Sequence, residues 1–285
     1  MRLIKMTGGL GNQMFIYALY LRMRHDFPNT YIDLSDMMHY QAHYGYELWH
    51  VFALPRTEII WPQWLKKALE FVFFRTILER KQHGSLVAYR ELQRWPLLYF
   101  KGFYQNERYF ADIADEVRAT FRFDLTKATA QTLTLRECIL TDTHSVSIHV
   151  RRGDYQQPKF VKAYGASCTT AYYHNAIKAA LTHDPKAHFY LFSDDLPWCT
   201  KHLPLPKGRV TIVAHNKGKD SWQDMLLMSL CQHNIIANSS FLWWAAWLNP
   251  HQDHRVYCPE QWTHGNDSSV ICLSTWLRVG NVLTT

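Results

Sequence analysis

The sequence predicts an α/β protein with parallel sheets, and two patterns carry that expectation. Four short β-type runs are each followed at once by polar or glycine-rich residues: Leu3 to Met6 before TGGLGNQ, Val146 to Val150 before RRGDY, Phe189 to Phe192 before SDD, and Ile235 to Ala237 before NSS. Helical periodicity alternates with these runs: Met14, Tyr17, Ala18 and Leu21, then Tyr172, Tyr173, Ala176 and Ile177, then Met225, Met228 and Leu230 to Cys231 ahead of the fourth run. Strands alternating with helices form parallel sheets.

The chain has 285 residues, long enough for two domains, with 47% hydrophobic and 19% charged residues, a balance that excludes disorder as the main state. No internal repeat or charge block divides it. A formal net charge of +7 suits anionic partners, while the scattered lysines and arginines form no recognised nucleic-acid module. The six cysteines include no C-x-x-C pair and are expected to be reduced thiols. With no signal-peptide pattern and no long apolar stretch, a cytoplasmic location is expected.

In open parallel sheets, ligands bind beyond the carboxyl ends of the strands. The first polar cluster lies in residues 1–143 and the other three in residues 144–285. Two Rossmann-like domains facing each other across a cleft are therefore expected, with the hinge near Thr141 to Ser145.

The first cluster, Gly8-Gly9-Leu10-Gly11-Asn12-Gln13-Met14, joins a strand to a helix, and its glycines allow close backbone approach to a ligand. It half resembles a dinucleotide fingerprint, with Asp33 at the spacing of a ribose-binding acid, but Met14 replaces the third glycine. A glycine turn needed only for tight packing is the competing reading.

The second cluster is His149-Val150-Arg151-Arg152-Gly153-Asp154-Tyr155. Two guanidinium groups at a strand end call for an anion, and their forked donors match a diphosphate. A surface turn pairing Arg151 with Asp154, and a core role for His149, are the plainer alternatives. In the third, Ser193-Asp194-Asp195, the carboxylates could accept from ribose hydroxyls or guanine, or merely cap a helix. In the fourth, Asn238, Ser239 and Ser240 open a helix that Pro250 closes, which makes a ready anion site. Trp243, Trp244 and Trp247 on that helix read as core. No D-x-D appears to hold a divalent metal over a diphosphate, so arginines and backbone N–H groups are expected to balance its charge.

The segment 61–81, WPQWLKKALEFVFFRTILERK, mixes Trp61, Trp64, Leu65, Leu69, Phe73 and Phe74 with Lys66, Lys67, Arg75, Arg80 and Lys81. It fits either an amphipathic helix packed on the first domain with a solvated basic side, or a helix lying on an anionic membrane surface.

Together TGGLGNQMFIYA, KGFYQNERYF at residues 101–110, HVRRGDY, FYLFSDD and DMLLMSLCQHNIIANSSFLWWAAWLN resemble, in order and spacing, the bacterial α-1,2-fucosyltransferases of glycosyltransferase family 11. The resemblance runs through residues 1–250. It implies a GT-B type fold, with an acceptor-side domain at 1–143 and a GDP-fucose-binding domain at 144–285. It also implies transfer of fucose from GDP-β-L-fucose to the 2-hydroxyl of a terminal β-galactoside, with inversion, no metal and no other cofactor, in O-antigen (lipopolysaccharide) synthesis. The acceptor glycan would be lipid-linked, with peripheral association at the inner face of the membrane.

By the same resemblance, Arg151 would clamp the diphosphate with His149 and Arg152 in support, and Asp194 and Asp195 would meet the guanosine. Asn238, Ser239 and Ser240 would meet the diphosphate or ribose. Gly9, Asn12 and Gln13 would bind the donor, and Gln105 and Tyr104 the acceptor. Ile16 stands where Gln is common in the family, and Leu242 where Ser is common. Inversion asks for a base on the acceptor hydroxyl, and Asp154 is the first candidate, or else the partner that aims Arg151. A catalytically silent nucleotide-sugar binding protein is the alternative.

Overall fold

The computed structural model describes residues 1–39, 44–72, 74–79, 97–151, 167–263 and 266–282. It divides into two compact units, Met1–Asp124 and Leu125–Thr285. The boundary falls ahead of the hinge expected near residue 143 because the helix Ala130–Thr141 is tied to the second unit. Just before it, the Thr129 N–H donates to Gln223 at 2.8 Å, and within it the Thr132 hydroxyl donates to Asn216 at 3.0 Å.

In the first unit, strands β1 (Arg2–Lys5), β2 (Thr30–Asp33), β3 (Arg75–Leu78) and β4 (Leu98–Lys101) form a sheet of order β2-β1-β4-β3, parallel throughout. Helix α1 (Leu10–Asp26) follows β1 and stops before Phe27-Pro28, where proline disfavours further helix. The sequence pattern marks one apolar stripe on α1, but the helix is buried on nearly every side, Phe15, Ile16 and Leu19 included. The sheet contacts one side of it; helix α2 (Leu48–Val51) and the turn at Glu107–Tyr109 contact it as well. Arg22 on α1 is held by Asp112 at 2.6 Å and Asp26 at 3.1 Å. Helices α3 (Gln63–Val72) and α4 (Ala114–Thr120) complete the unit.

The second unit holds helix α5 (Ala130–Thr141) and a parallel sheet of order β12-β9-β8-β5-β6-β7. Its strands are β5 (Ser145–Val150), β6 (His188–Ser193), β7 (Val210–Val213), β8 (His233–Ile235), β9 (Val256–Pro259) and β12 (Leu277–Val279). A two-stranded antiparallel ribbon, β10 (Gln261–Thr263) with β11 (Asn266–Asp267), lies between the last two in sequence. Central strands β5 and β6 are buried on both faces, as a parallel sheet covered on two sides requires. Helices α6 (Thr170–His183), α7 (Leu196–His202), α8 (Trp222–Leu230) and α9 (Ser240–Trp247) connect the strands. Tyr172, Tyr173, Ala176 and Ile177 of α6 pack on Val146, Ile148 and Phe189. The α9 tryptophans are core: Trp243 stacks on Trp247 at 6.1 Å, and the Trp243 indole donates to the Ile271 carbonyl at 2.8 Å.

Among the described residues, no helix is long and apolar enough to cross a membrane.

Candidate functional site

Strand order brings three of the four polar clusters together. Strands β8, β5 and β6 are adjacent and parallel, so Asn238–Ser240, His149–Arg151 and Ser193–Asp195 leave the same sheet edge side by side. The ends are tied locally: the Ser193 hydroxyl donates to the Val150 carbonyl at 2.9 Å and accepts the Asp195 N–H at 2.9 Å. Tyr173 on α6 donates to the His149 carbonyl at 3.3 Å.

The structure separates the two adjacent aspartates. The Asp195 carboxylate accepts the Trp198 N–H at 3.1 Å as the N-cap of α7, so the capping reading describes Asp195. Asp194 is exposed and acts electrostatically on His149. Burial and the neighbouring Arg151 lower His149 to about 4, against the opposing pull of Asp194. The imidazole is thus neutral at pH 7, and its buried Nδ1 makes no hydrogen bond. It brings no charge to a bound anion, whereas the positive charge resides on Arg151.

Ser239 begins α9 with no side-chain cap, and Ser240 follows half-buried at its first turn. That leaves the positive end of the helix dipole just past the carboxyl end of β8, the strand next to β5, which leads into Arg151. Asn238 serves the scaffold: its amide donates to the Trp262 carbonyl at 2.9 Å, and its oxygen lies 3.5 Å from the Cys168 thiol. Arg152 and Asp154 lie outside the described residues.

In the first unit the glycine turn is locked from within. Gly8 has φ of +82°, and a Cβ there would sit 2.7 Å from the Asn12 side-chain nitrogen. Gly9 is the N-cap of α1, yet the Leu10 N–H is taken by the Glu47 carboxylate at 3.0 Å rather than left for an anion. Gln13 is fully buried; its amide donates to the Gly8 and Gly45 carbonyls at 2.9 and 2.8 Å and accepts the Glu47 N–H at 2.9 Å. It therefore fastens the turn instead of reaching a sugar. Burial pushes Glu47 up to about 7, against the hydrogen bond from Leu10.

Asn12 accepts from the Gln105 amide at 2.6 Å, which brings two predicted sugar-facing residues together. Tyr104 is buried with φ of +53°, and its hydroxyl makes no hydrogen bond. Glu79 holds that unusual backbone by accepting the Phe103 and Tyr104 N–H groups at 2.7 and 2.9 Å.

Asp33 does not act as the ribose acid of a dinucleotide fold. Its carboxylate accepts from the Tyr99 hydroxyl at 2.6 Å and the Ser35 N–H at 2.8 Å, all buried. The dinucleotide reading fails on that arrangement and on Met14.

A further polar cluster lies outside the four motifs of the sequence. After β7, Asn216 donates to Asp224 at 2.9 Å and accepts from Thr132, and His215 lies 3.1 Å from the same threonine hydroxyl. Burial raises Asp224 to about 7, against the Asn216 bond, and the neighbouring Gln223 amide nitrogen is buried without a hydrogen bond. The signal was present as a polar run, AHNKGKDSWQD, directly after a strand. Among the described residues, no group of three His, Cys, Asp or Glu side chains is placed to hold a metal ion.

Comparison with known proteins agrees with this architecture. The chain is 31% identical over 294 residues to an α-1,2-colitosyltransferase of Escherichia coli, covering 96% of this chain and 97% of that one. It is 28% identical over 159 residues to a galactoside α-(1,2)-fucosyltransferase 1 of Saimiri boliviensis boliviensis, covering 54% of this chain and 43% of that one. In fold it is similar to the fucosyltransferase NodZ from Bradyrhizobium, with a TM-score of 0.54, 14% identity, and coverage of 87% and 93%. The fold is α/β of the GT-B type, with two Rossmann-like units. Residues 4–265 match the description "Glycosyl transferase family 11", and the chain is a glycosyltransferase of that family.

Proposed function

We propose that this enzyme transfers L-fucose from GDP-β-L-fucose to the 2-hydroxyl of a terminal β-galactoside, with inversion and without a metal ion, during assembly of a bacterial O-antigen in the cytoplasm. The observation that carries the donor half is the convergence of Arg151, Asp194 and the uncapped start of α9 on adjacent strands. A guanidinium and a helix N-terminus suit a diphosphate. An exposed carboxylate on the next strand suits the hydrogen-bond donors of a nucleoside. The relatives' names supply the linkage and the galactoside.

In the displacement, the acceptor 2-oxygen forms a bond to C1 of the sugar as the C1–O bond to phosphate breaks. The electron pair leaves with GDP. Arg151 and the α9 N–H groups would stabilise that growing charge. Asp154 is the proposed base for the hydroxyl proton. His149, neutral and part-buried next to Arg151, would support it.

A second donor is favoured by the relative matched along nearly its whole length, a colitosyltransferase. Colitose is L-fucose without the 3-hydroxyl, so GDP-colitose would fit the same diphosphate site.

The test is to incubate the protein with GDP-fucose or GDP-colitose, EDTA and a panel of β-galactosides, following GDP release and then product linkage by NMR. Acceptor-dependent release with a 2-linked α-fucose supports the reading. Transfer from GDP-colitose alone replaces the donor. Saturable GDP-fucose binding with no transfer to any galactoside returns the silent-binding alternative.

A further inference from the structure

The segment 61–81 does not run on as one amphipathic helix. Helix α3 ends at Val72, and Arg75–Leu78 forms β3, paired parallel with β4 so that Leu78 lies opposite Lys101. Lys66 of α3 turns inward, 5% exposed, to Asp36 at 2.6 Å, and Glu70 pairs with Lys101, so the basic side is not wholly solvated, while Trp64 faces out. Phe73, ahead of β3, and Arg80 and Lys81, past it, lie outside the described residues.

Pairing with β4 brings Glu79 to the end of that ladder, where its N–H donates to the Lys101 carbonyl at 2.9 Å. Its side chain then lies against Gly102. A Cβ at Gly102 would collide with the Glu79 Cβ and sit 2.7 Å from the carboxylate, so the glycine is the bare seat that admits this side chain. From that seat one carboxylate oxygen accepts both the Phe103 and the Tyr104 N–H groups, at 2.7 and 2.9 Å. A charged acceptor shared by two successive N–H groups is a strong hold.

The turn it holds is strained. Tyr104 has φ of +53°, a region that an L-residue other than glycine keeps only where its surroundings impose it. The Tyr104 ring is buried edge-on against Tyr109, with ring centroids 5.4 Å apart. The Tyr104 carbonyl accepts the Asn106 N–H at 2.8 Å, which folds the chain sharply at Gln105. There the Gln105 amide donates to the Asn12 oxygen at 2.6 Å. That bond leaves the Gln105 oxygen as an acceptor beside the Asn12 N–H donors. Vicinal hydroxyls of a sugar ring both donate and accept, and such an amide pair is their complement.

We propose that Glu79 is a positioning residue for the acceptor sugar: seated on Gly102, it sets the 103–106 turn so that Gln105 and Asn12 present one rigid amide pair to two sugar hydroxyls. Glu79 acts through Gln105 and takes no proton in the reaction. Without it the acceptor would have to order the turn on binding, which weakens affinity and misplaces the reacting hydroxyl. The inference rests on the acceptor role of Gln105 and adds the residue that aims it.

The test uses the full chain, the panel of β-galactosides and whichever of GDP-fucose and GDP-colitose it accepts. E79A, assayed well below its melting temperature, should lose at least about tenfold in kcat/KM for the acceptor, in line with the loss of two hydrogen bonds to a charged group, while GDP affinity by titration stays that of the wild type. E79Q keeps an oxygen for both N–H groups and should stay within about threefold of the wild type. E79D keeps the charge but draws the oxygen back by one methylene; it should fall between the two, and serves in place of E79A if that variant does not fold. In a Q105A background E79A should cost little more, because both changes remove one function. Independently of any sugar, the Phe103 and Tyr104 amides of E79A should exchange with solvent deuterium at least about tenfold faster. Normal acceptor kinetics in E79A, equal losses in E79A and E79Q, full additivity with Q105A, or unchanged amide exchange overturns the proposal. If the wild type binds the donor but modifies no galactoside, the acceptor reading itself fails, and the proposal falls with it whatever the exchange shows.

Discussion

The Asp195 carboxylate accepts the Trp198 N–H at 3.1 Å, while its neighbour Asp194 is exposed and acts on His149. Adjacent residues of one type thus do different work. Asp195→Ala should cost about 1 kcal/mol of stability through the lost cap, leaving GDP affinity nearly unchanged. Asp194→Ala should weaken GDP binding more than Asp195→Ala does. Thermal melts paired with GDP titrations check both.

Arg151→Ala should remove about 3–5 kcal/mol of transition-state stabilisation, because a charged donor no longer meets the developing phosphate charge. The same change removes the positive neighbour that helps hold His149 near 4, so the imidazole of the free protein should titrate at higher pH. Steady-state kinetics read the first effect and NMR of the histidine ring the second. An unmoved His149 with normal turnover would detach Arg151 from the site.

Asp154→Asn should lower kcat far more than GDP-fucose affinity if Asp154 takes the acceptor proton. Near-normal turnover by the folded variant would remove that role.

Glu47 should make the protein less stable as pH rises. Its folded value of about 7 lies above the ordinary 4.5, so between these values the folded state holds a proton that the unfolded state has lost. Stability from this group is full below about 4.5 and falls as pH rises through 7. Asp224, also near 7, acts in the same sense. Glu47→Gln keeps an acceptor for Leu10 without the ionisation. Relative to wild type it should gain stability between pH 5 and pH 8, by of order 2–3 kcal/mol. Urea unfolding of both proteins at the two pH values isolates the difference.

Gln13→Leu should destabilise the protein by about 3 kcal/mol or more, since the carbonyls of Gly8 and Gly45 and the N–H of Glu47 lose their partner in a buried place. Chemical denaturation measures it. Retained full stability would mean that the turn is held by the Glu47–Leu10 bond alone.

The α/β class, the strands that carry the four polar clusters, the assignment of the α9 tryptophans to the core, and the family are all legible in the order of residues. These are local or periodic properties: apolar runs of strand length, helical spacing, and polar residues just past strand ends. Packing settles what those patterns leave open. Periodicity shows which residues of α3 share a face but not that Asp33 and Asp36 wait there, and this is why Lys66 turned inward and Trp64 outward. Gln13 and Asn12 look alike as polar residues of one turn, yet only the meeting with Gly45 and Glu47 made Gln13 a fastening and left Asn12 to Gln105. Whether a polar side chain serves the fold or a ligand depends on partners far along the chain, and those partners are set by packing.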